Sequence, residues 1–246
     1  MIVCDPVYSC ILYMELSFVL PCFNEAQNIE STVRDVSSWF EKEGIDGEVI
    51  AVNDGSTDGT DAIIDRLAAE IPSVRAVHHK ENKGYGASVR NGCDSATKDY
   101  VGFMDSDGQF HAEEIGVLLP SLQEYRIVAG VRTKRADPWN RKLNAWLYGR
   151  LVRVVLGVKK RDVNCSLVVF ERSLWPTIRP VYATGALFCG EMYFRLREAN
   201  VPLCQVGVEH YSRKEGQQTG ANSGVILRMF KELRQLKKDV RSQKKG

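Results

Sequence analysis

Asp105 and Asp107 stand one residue apart in the stretch FMDSDGQFH (103–111), at the end of an apolar run. Two carboxylates this close repel each other unless a proton or a cation intervenes. A divalent ion meets that requirement. Hard ions such as Mg2+ and Mn2+ take carboxylate oxygens, keep open positions and complete their shell with substrate phosphates. An ion held in this way neutralises the charge that builds on a diphosphate leaving group. Gln109, two residues on, can add an oxygen ligand. A lone Asp-x-Asp is also a common capping pair at a strand–helix turn, so its chemistry depends on what surrounds it.

The surrounding pattern is one of apolar strands alternating with helices. LSFVLP (16–21), EVIAVND (48–54), VRAVHH (74–79), YVGFMD (100–105) and IVAGV (127–131) read as strands. Between them, Ile29, Val33, Val36 and Phe40 recur at helical spacing, as do Ile63, Leu67 and Ile71, with a Gly-punctuated helix over about 84–97 and a fourth around Ile115–Leu122. Strands this apolar imply an α/β fold whose mostly parallel sheet is covered on both faces. Ligands of such sheets bind beyond the carboxyl ends of the strands. The tips found there are CFNE, NDGSTDGT, HKENKGYG and DSDGQ, four polar exits that converge on one crevice. In the second half, NCSLVVF (164–170) and LCQVGVEHY (203–211) read as strands, and 139–156, 190–200 and 222–243 as helices.

VLPCFNEAQNI, VNDGSTDGT, NKGYGASVRNG and MDSDGQFH, in that order and at these separations, resemble the signatures of the family 2, GT-A-fold nucleotide-sugar glycosyltransferases. Within that family the chain is most similar to the branch of dolichyl-phosphate mannose synthase and other polyprenyl-phosphate sugar transferases. The likeness is close over 16–135 and loose over 136–220. It implies a GT-A (Rossmann-like) fold, a GDP- or UDP-sugar donor, and Mg2+ or Mn2+ as cofactor.

Carried over by motif, Pro21, Asn24 and Glu25 would line the nucleoside pocket and Asp54 would bond the base. Gly84, Ala87 and Arg90 would lie beside the diphosphate and ribose. Asp105 would sit near ribose and metal, Asp107 and Gln109 would ligate the metal, and Arg132 and Arg213 would contact phosphate. Plainer readings stand beside these: Asn24 as a helix N-cap, Asp54 as a turn former, Arg90 as a solvated helix residue. The chain has Asn53-Asp54 where the family often has two acids, and NCSLVVF where the branch carries its Ser-Gly-Phe acceptor loop after Asp162. GYGASVRNG lacks the third glycine of a dinucleotide fingerprint, which argues against a dehydrogenase.

A polyprenyl-phosphate acceptor is already ionised, so transfer to it dispenses with a general base. A saccharide or small-molecule hydroxyl would need one, and Glu191 and Asp162 are then the candidates. The segment DPWNRKLNAWLYGRLVRVVLGVKKRD sets Trp139, Leu143, Trp146, Leu147, Leu151, Val154 and Val155 at helical spacing among arginines and lysines. Trp-rich, basic helices lie at bilayer interfaces.

Charge follows the same division. The net charge is +2, but residues 132–161 carry +9 and 228–246 carry +6, leaving −13 on the rest. Two basic segments of this kind suit an anionic lipid surface, and no nucleic-acid partner is expected. The seven cysteines are odd in number and contain no CxxC, against a disulfide framework or zinc site and for reduced thiols. The expected organisation is a disordered extension over 1–14, one catalytic domain over 15–221, and a basic amphipathic helix over 222–246. The expected location is cytoplasmic, peripheral at the cytoplasmic face of a membrane.

Overall fold

Apolar strands without polar alternation must be buried on both faces, and the sheet obeys this. The computed structural model describes residues 14–135, 139–213 and 223–243. The expected N-terminal extension therefore lies outside the described residues, apart from Met14. The strands are β1 (Glu15–Cys22), β2 (Asp46–Asn53), β3 (Val74–His78), β4 (Tyr100–Phe103), β5 (Ile127–Arg135), β6 (Val168–Glu171) and β7 (Cys204–His210). They form one sheet in the order β3-β2-β1-β4-β6-β5-β7. All neighbours are parallel except β6, which runs antiparallel to both β4 and β5.

Successive residues of β1 feed opposite cores. Val19 joins one apolar cluster, with Val89 and Cys93 of α3 (Tyr85–Ser95), Val152 and Leu156 of α5 (Trp139–Leu156), and Phe188 and Met192 of α7 (Phe188–Glu198). Phe18 and Leu20 join the other, with Ile29 and Val33 of α1 (Ile29–Glu43), Ile64 and Leu67 of α2 (Thr60–Glu70), and Ile115 and Leu118 of α4 (Glu113–Leu118). A short helix, α6 (Trp175–Ile178), and α8 (Ser223–Gln243) complete the first cluster.

The apolar stripe of α8 is used by the domain: Met229, Leu233 and Leu236 are buried in the first core cluster. What α8 turns outward is charge together with one aromatic ring: Arg228, Lys231, Arg234, Lys237 and Lys238 are exposed, as is Phe230.

Register sets the ends of the strands. Cys22 of β1 is level with Asn53 of β2, which is level with His78 of β3, while β4 stops at Phe103 opposite Val19. The chain after β4 therefore turns beneath the longer tips of β1 and β2, and the four polar exits meet at one edge.

At the opposite end, Glu48 ties β1, β2, β3 and the α3–β4 turn together. Its carboxylate accepts bonds from Ser17 Oγ (2.6 Å), Thr97 N (2.8 Å), Thr97 Oγ1 (2.7 Å) and Arg75 Nη1 (2.7 Å). Burial pushes its pKa up, but these bonds outweigh burial and bring it from 4.5 down to about 2. A folded pKa below the unfolded one gives stability that is present above the unfolded value and lost as pH falls through the folded one. Glu48→Gln is expected to cost about 3 kcal/mol at neutral pH, and to flatten the wild-type loss of melting temperature between pH 4.5 and about 2. A wild-type melting temperature constant across that window would contradict this assignment.

Candidate active site

The exits of β1 and β2 are zipped together. Asn24, at φ 55°, donates its N–H to Ser56 Oγ (2.9 Å) and accepts Thr57 N–H on Oδ1 (2.9 Å). Ala26 N–H reaches Asp58 Oδ2 (3.0 Å) and Glu25 N–H reaches Thr60 Oγ1 (3.0 Å). Asn24 thus bridges two loops and does not cap α1, which begins at Ile29.

Ser106, the residue between the two acids, is a positioning group that sequence reasoning missed. It is buried, its hydroxyl donates to Pro21 O of β1 (2.8 Å), and its carbonyl accepts Thr32 Oγ1 (3.3 Å). The turn is pinned to the sheet through its middle residue, and the acids on either side are displayed together.

Burial raises the pKa of both acids. Ser166, Tyr85, Arg132 and Arg213 pull Asp105 back in part; Asp105 pushes Asp107 up further, against the Gln109 N–H and Arg213. The Tyr85 hydroxyl is buried beside Asp105. Two crowded carboxylates among hard oxygen donors fit a divalent cation. Among the described residues no cluster of three acidic, histidine or cysteine ligands exists. That donor set suits an ion held by one or two carboxylates and completed by phosphates. Gln109 Nε2 donates to Tyr211 O (3.0 Å) and its backbone carbonyl accepts Tyr211 N–H (3.0 Å), and neither bond uses the side-chain Oε1 expected to ligate the ion. Gln109 joins the exit of β7 to the acidic turn.

Asp54 holds the loop that enters α3. It is buried; Oδ1 accepts His79 Nδ1 (2.6 Å) and Lys83 N–H (2.9 Å), and Oδ2 accepts Gly84 N–H (2.8 Å). His79 Nε2 then takes Asn91 Nδ2 at 2.6 Å, which fixes its tautomer. Gly84 has φ 94°, and a Cβ there would stand 2.6 Å from Thr184 O. Only glycine fits that approach. Ala87 is buried in α3, and Arg90 Nη1 donates to Ala183 O (2.6 Å), binding α3 to the segment before α7.

The two phosphate candidates among the arginines are both carboxylate-bound. Arg132 pairs with Asp162 through Nε (2.8 Å) and Nη2 (3.0 Å). Arg213 Nη2 meets both oxygens of Glu25 (2.7 and 2.8 Å), and Nη1 lies 3.5 Å from Asp107 Oδ2. Glu25 therefore reaches across the crevice to Arg213. Glu191 caps the loop that precedes α7. It is fully buried, accepts the N–H groups of Val181, Tyr182 and Ala183 (2.8, 3.1 and 2.8 Å), and pairs with Arg195 at 2.8 Å. Of the two candidate bases, Glu191 caps a buried loop and Asp162 anchors Arg132.

A doubly covered, mostly parallel sheet with paired acids and basic groups at its carboxyl edge is the arrangement in which open α/β sheets bind ligands. The chain belongs to glycosyl transferase family 2, whose family model matches residues 17–180. It is 30% identical over 222 residues to the dodecaprenyl-phosphate galacturonate synthase of Rhizobium johnstonii, covering 86% of this chain and 62% of that protein. It is 31% identical over 163 residues to the undecaprenyl-phosphate 4-deoxy-4-formamido-L-arabinose transferase of an Enterobacter species, covering 65% and 50%. The chain thus spans half to three-fifths of these relatives' lengths.

Among solved structures, the glucosyl-3-phosphoglycerate synthase of Mycobacterium tuberculosis with Mn2+, UDP-glucose and phosphoglyceric acid matches with a TM-score of 0.69. The identity is 20%, over 92% of this chain and 82% of that one. The mannosyl-3-phosphoglycerate synthase of Rubrobacter xylanophilus matches with a TM-score of 0.70 at 19% identity, over 95% and 76%. At such identities the likeness is one of fold.

Proposed function

We propose that the protein transfers a sugar, with inversion, from a nucleotide-diphospho-sugar to a polyprenyl phosphate at a membrane surface, with Mg2+ or Mn2+ as cofactor. The observation that carries this reading is the pairing of Asp105 and Asp107 at the carboxyl edge of the sheet, within reach of Arg213. A divalent ion bound there would neutralise charge on the departing nucleoside diphosphate. Ser106 and Gln109 hold the turn in place, Asp54 shapes the nucleotide side through the 79–84 loop, and Arg132 and Arg213 supply guanidinium forks suited to phosphate. Pro21, Asn24 and Glu25 on one side, and Gly84, Ala87 and Arg90 on the other, build the walls.

A phosphate acceptor is favoured by the engagement of the two candidate bases: Glu191 caps a buried loop and Asp162 pairs with Arg132, and a phosphate acceptor needs no base. The curated relatives are named for polyprenyl-phosphate substrates, in the same direction. The assay is sugar transfer from UDP- and GDP-sugars to a polyprenyl phosphate, with Mn2+ and with EDTA. Transfer to a saccharide hydroxyl in preference to the lipid would favour the alternative, an enzyme acting on small soluble acceptors.

Contact with the membrane is assigned to α5. Val152 and Leu156 face the core, while Trp146 (57% exposed), Leu147 (52%) and Val154 (76%) face outward beside the exposed Arg150 and Arg153. Arg150 stacks over the Trp146 ring at 5.2 Å. The side chains of Trp139 and Leu143 lie outside the described residues. Among the described residues no helix is long and apolar enough to cross a membrane. The double variant Trp146→Ala/Leu147→Ala is expected to weaken binding to anionic vesicles by about tenfold or more, since each residue withdraws apolar area from the interface. Unchanged co-sedimentation would remove α5 from the membrane contact.

A further inference from the structure

We propose that Arg213 holds the charge position next to Asp107 in the donor-free protein, so that a divalent ion enters together with the diphosphate and poorly before it. This rests on the proposed reading of the acid pair as the metal site.

Arg213 is delivered by the chain leaving β7, which is locked to the acidic turn by the reciprocal bonds between Gln109 and Tyr211. Its guanidinium is divided between two acids. Nη2 is closed against both oxygens of Glu25 at 2.7 and 2.8 Å, and Nη1 stands 3.5 Å from Asp107 Oδ2. All three side chains are nearly buried, at 11% exposure for Arg213, 12% for Glu25 and 14% for Asp107. Charges so withdrawn from water are sustained by their partners.

A divalent ion arriving alone at Asp107 meets this guanidinium at close range and must either displace it or bear its repulsion. A diphosphate changes the balance. Its oxygens give Nη1 a charge-assisted partner to replace Asp107, and they complete the ion's shell. Metal and diphosphate therefore favour each other, and the coupling works equally in both directions.

Glu25 sets the strength of the device. By occupying Nη2 it keeps the guanidinium partly withdrawn from Asp107. Without it, Asp107 becomes the nearest acid and Arg213 closes onto it. The two partners of one ion pair thus have opposite effects on metal affinity, which loss of packing does not produce.

The test is the Mn2+ affinity of the nucleotide-free protein, read from the electron paramagnetic resonance signal of free Mn2+. Melting temperatures confirm that each variant is folded. Arg213→Met is expected to bind Mn2+ at least about fivefold more tightly than wild type, the lower end of ordinary site-to-site coupling. Glu25→Gln is expected to bind it more weakly, and Arg213→Lys, which keeps the charge, to remain near wild type. With saturating UDP or GDP, the advantage of Arg213→Met is expected to vanish. An Arg213→Met protein that takes up Mn2+ no more tightly than wild type, while both take it up with nucleotide, overturns the inference alone. A wild type that takes up no Mn2+ even with nucleotide overturns the reading of the site and the inference with it.

Discussion

Asp107→Asn is expected to lower sugar transfer about a thousandfold, in the range seen when one element of transition-state charge stabilisation is removed, while the melting temperature stays at or above that of wild type. The two effects have one cause. Asp107 is nearly buried beside Asp105, and each acid makes the other's charge more costly. The folded protein therefore tolerates the pair at a cost to its stability, as is common where function requires unfavourable charge. Asparagine keeps the shape, and its Oδ1 can still accept the Gln109 N–H, but a formal charge is lost from the ion's site. A thousandfold loss corresponds to about 4 kcal/mol of barrier. A variant with near-normal turnover would mean that Asp107 is a turn residue. One that lost activity together with fold would leave the acid with a structural role.

Glu191→Ala is expected to act in the other sense, through the fold. The carboxylate is fully buried and holds three successive backbone N–H groups as well as Arg195. Breaking a buried pair of this kind typically costs about 3–5 kcal/mol. In a protein of this size that is a fall of about 10 °C in melting temperature. The segment concerned, 181–184, also receives Arg90 at Ala183 O and Glu232 of α8 at Thr184 N and Oγ1, so its loosening reaches α3 and α8. Glu191→Gln decides between structure and chemistry. It keeps one of the two acceptor oxygens, so part of the stability is lost, but transfer by the folded protein is expected to remain within about tenfold of wild type, whereas loss of a true general base costs about a hundredfold or more. A glutamine variant that folded normally and lost that much activity would restore Glu191 to the reaction.

Much of the architecture was legible because burial on both faces leaves a plain mark: LSFVLP and EVIAVN contain too few polar residues to face water. The direction of β6 was not legible. SLVVF suits a parallel or an antiparallel neighbour equally, since direction is set by the connection and not by the strand. Amphipathic helices posed a related difficulty. Met229, Leu233 and Leu236 announce an apolar stripe on α8, but a stripe does not say whether a core or a bilayer covers it. In α5 the apolar residues are divided between Val152 and Leu156 inside and Trp146, Leu147 and Val154 outside, a division that spacing alone blurs.

The site shows the same limit at finer scale. The location of the acid pair follows from strand logic, because a parallel sheet presents its carboxyl ends together. Its partners do not. Glu25 and Arg213 are 188 residues apart, and Asp54 meets His79 and Gly84 across 25 and 30. Such contacts exist only once the sheet order is known. Ser106 carried a faint signal, as a small hydroxyl residue between two acids, but its bond to Pro21 O depends on how far β1 extends past β4.

Calorimetric titration of UDP and GDP into the wild-type protein, once with Mn2+ and once with excess EDTA, bears most directly on the acid pair as a metal site. At least one nucleotide is expected to bind ten or more times as tightly with Mn2+, a difference of about 1.4 kcal/mol or more, and that gain is expected to disappear in Asp107→Asn. Equal affinity in Mn2+ and EDTA would show that Asp105 and Asp107 are reconciled by protons and arginines alone.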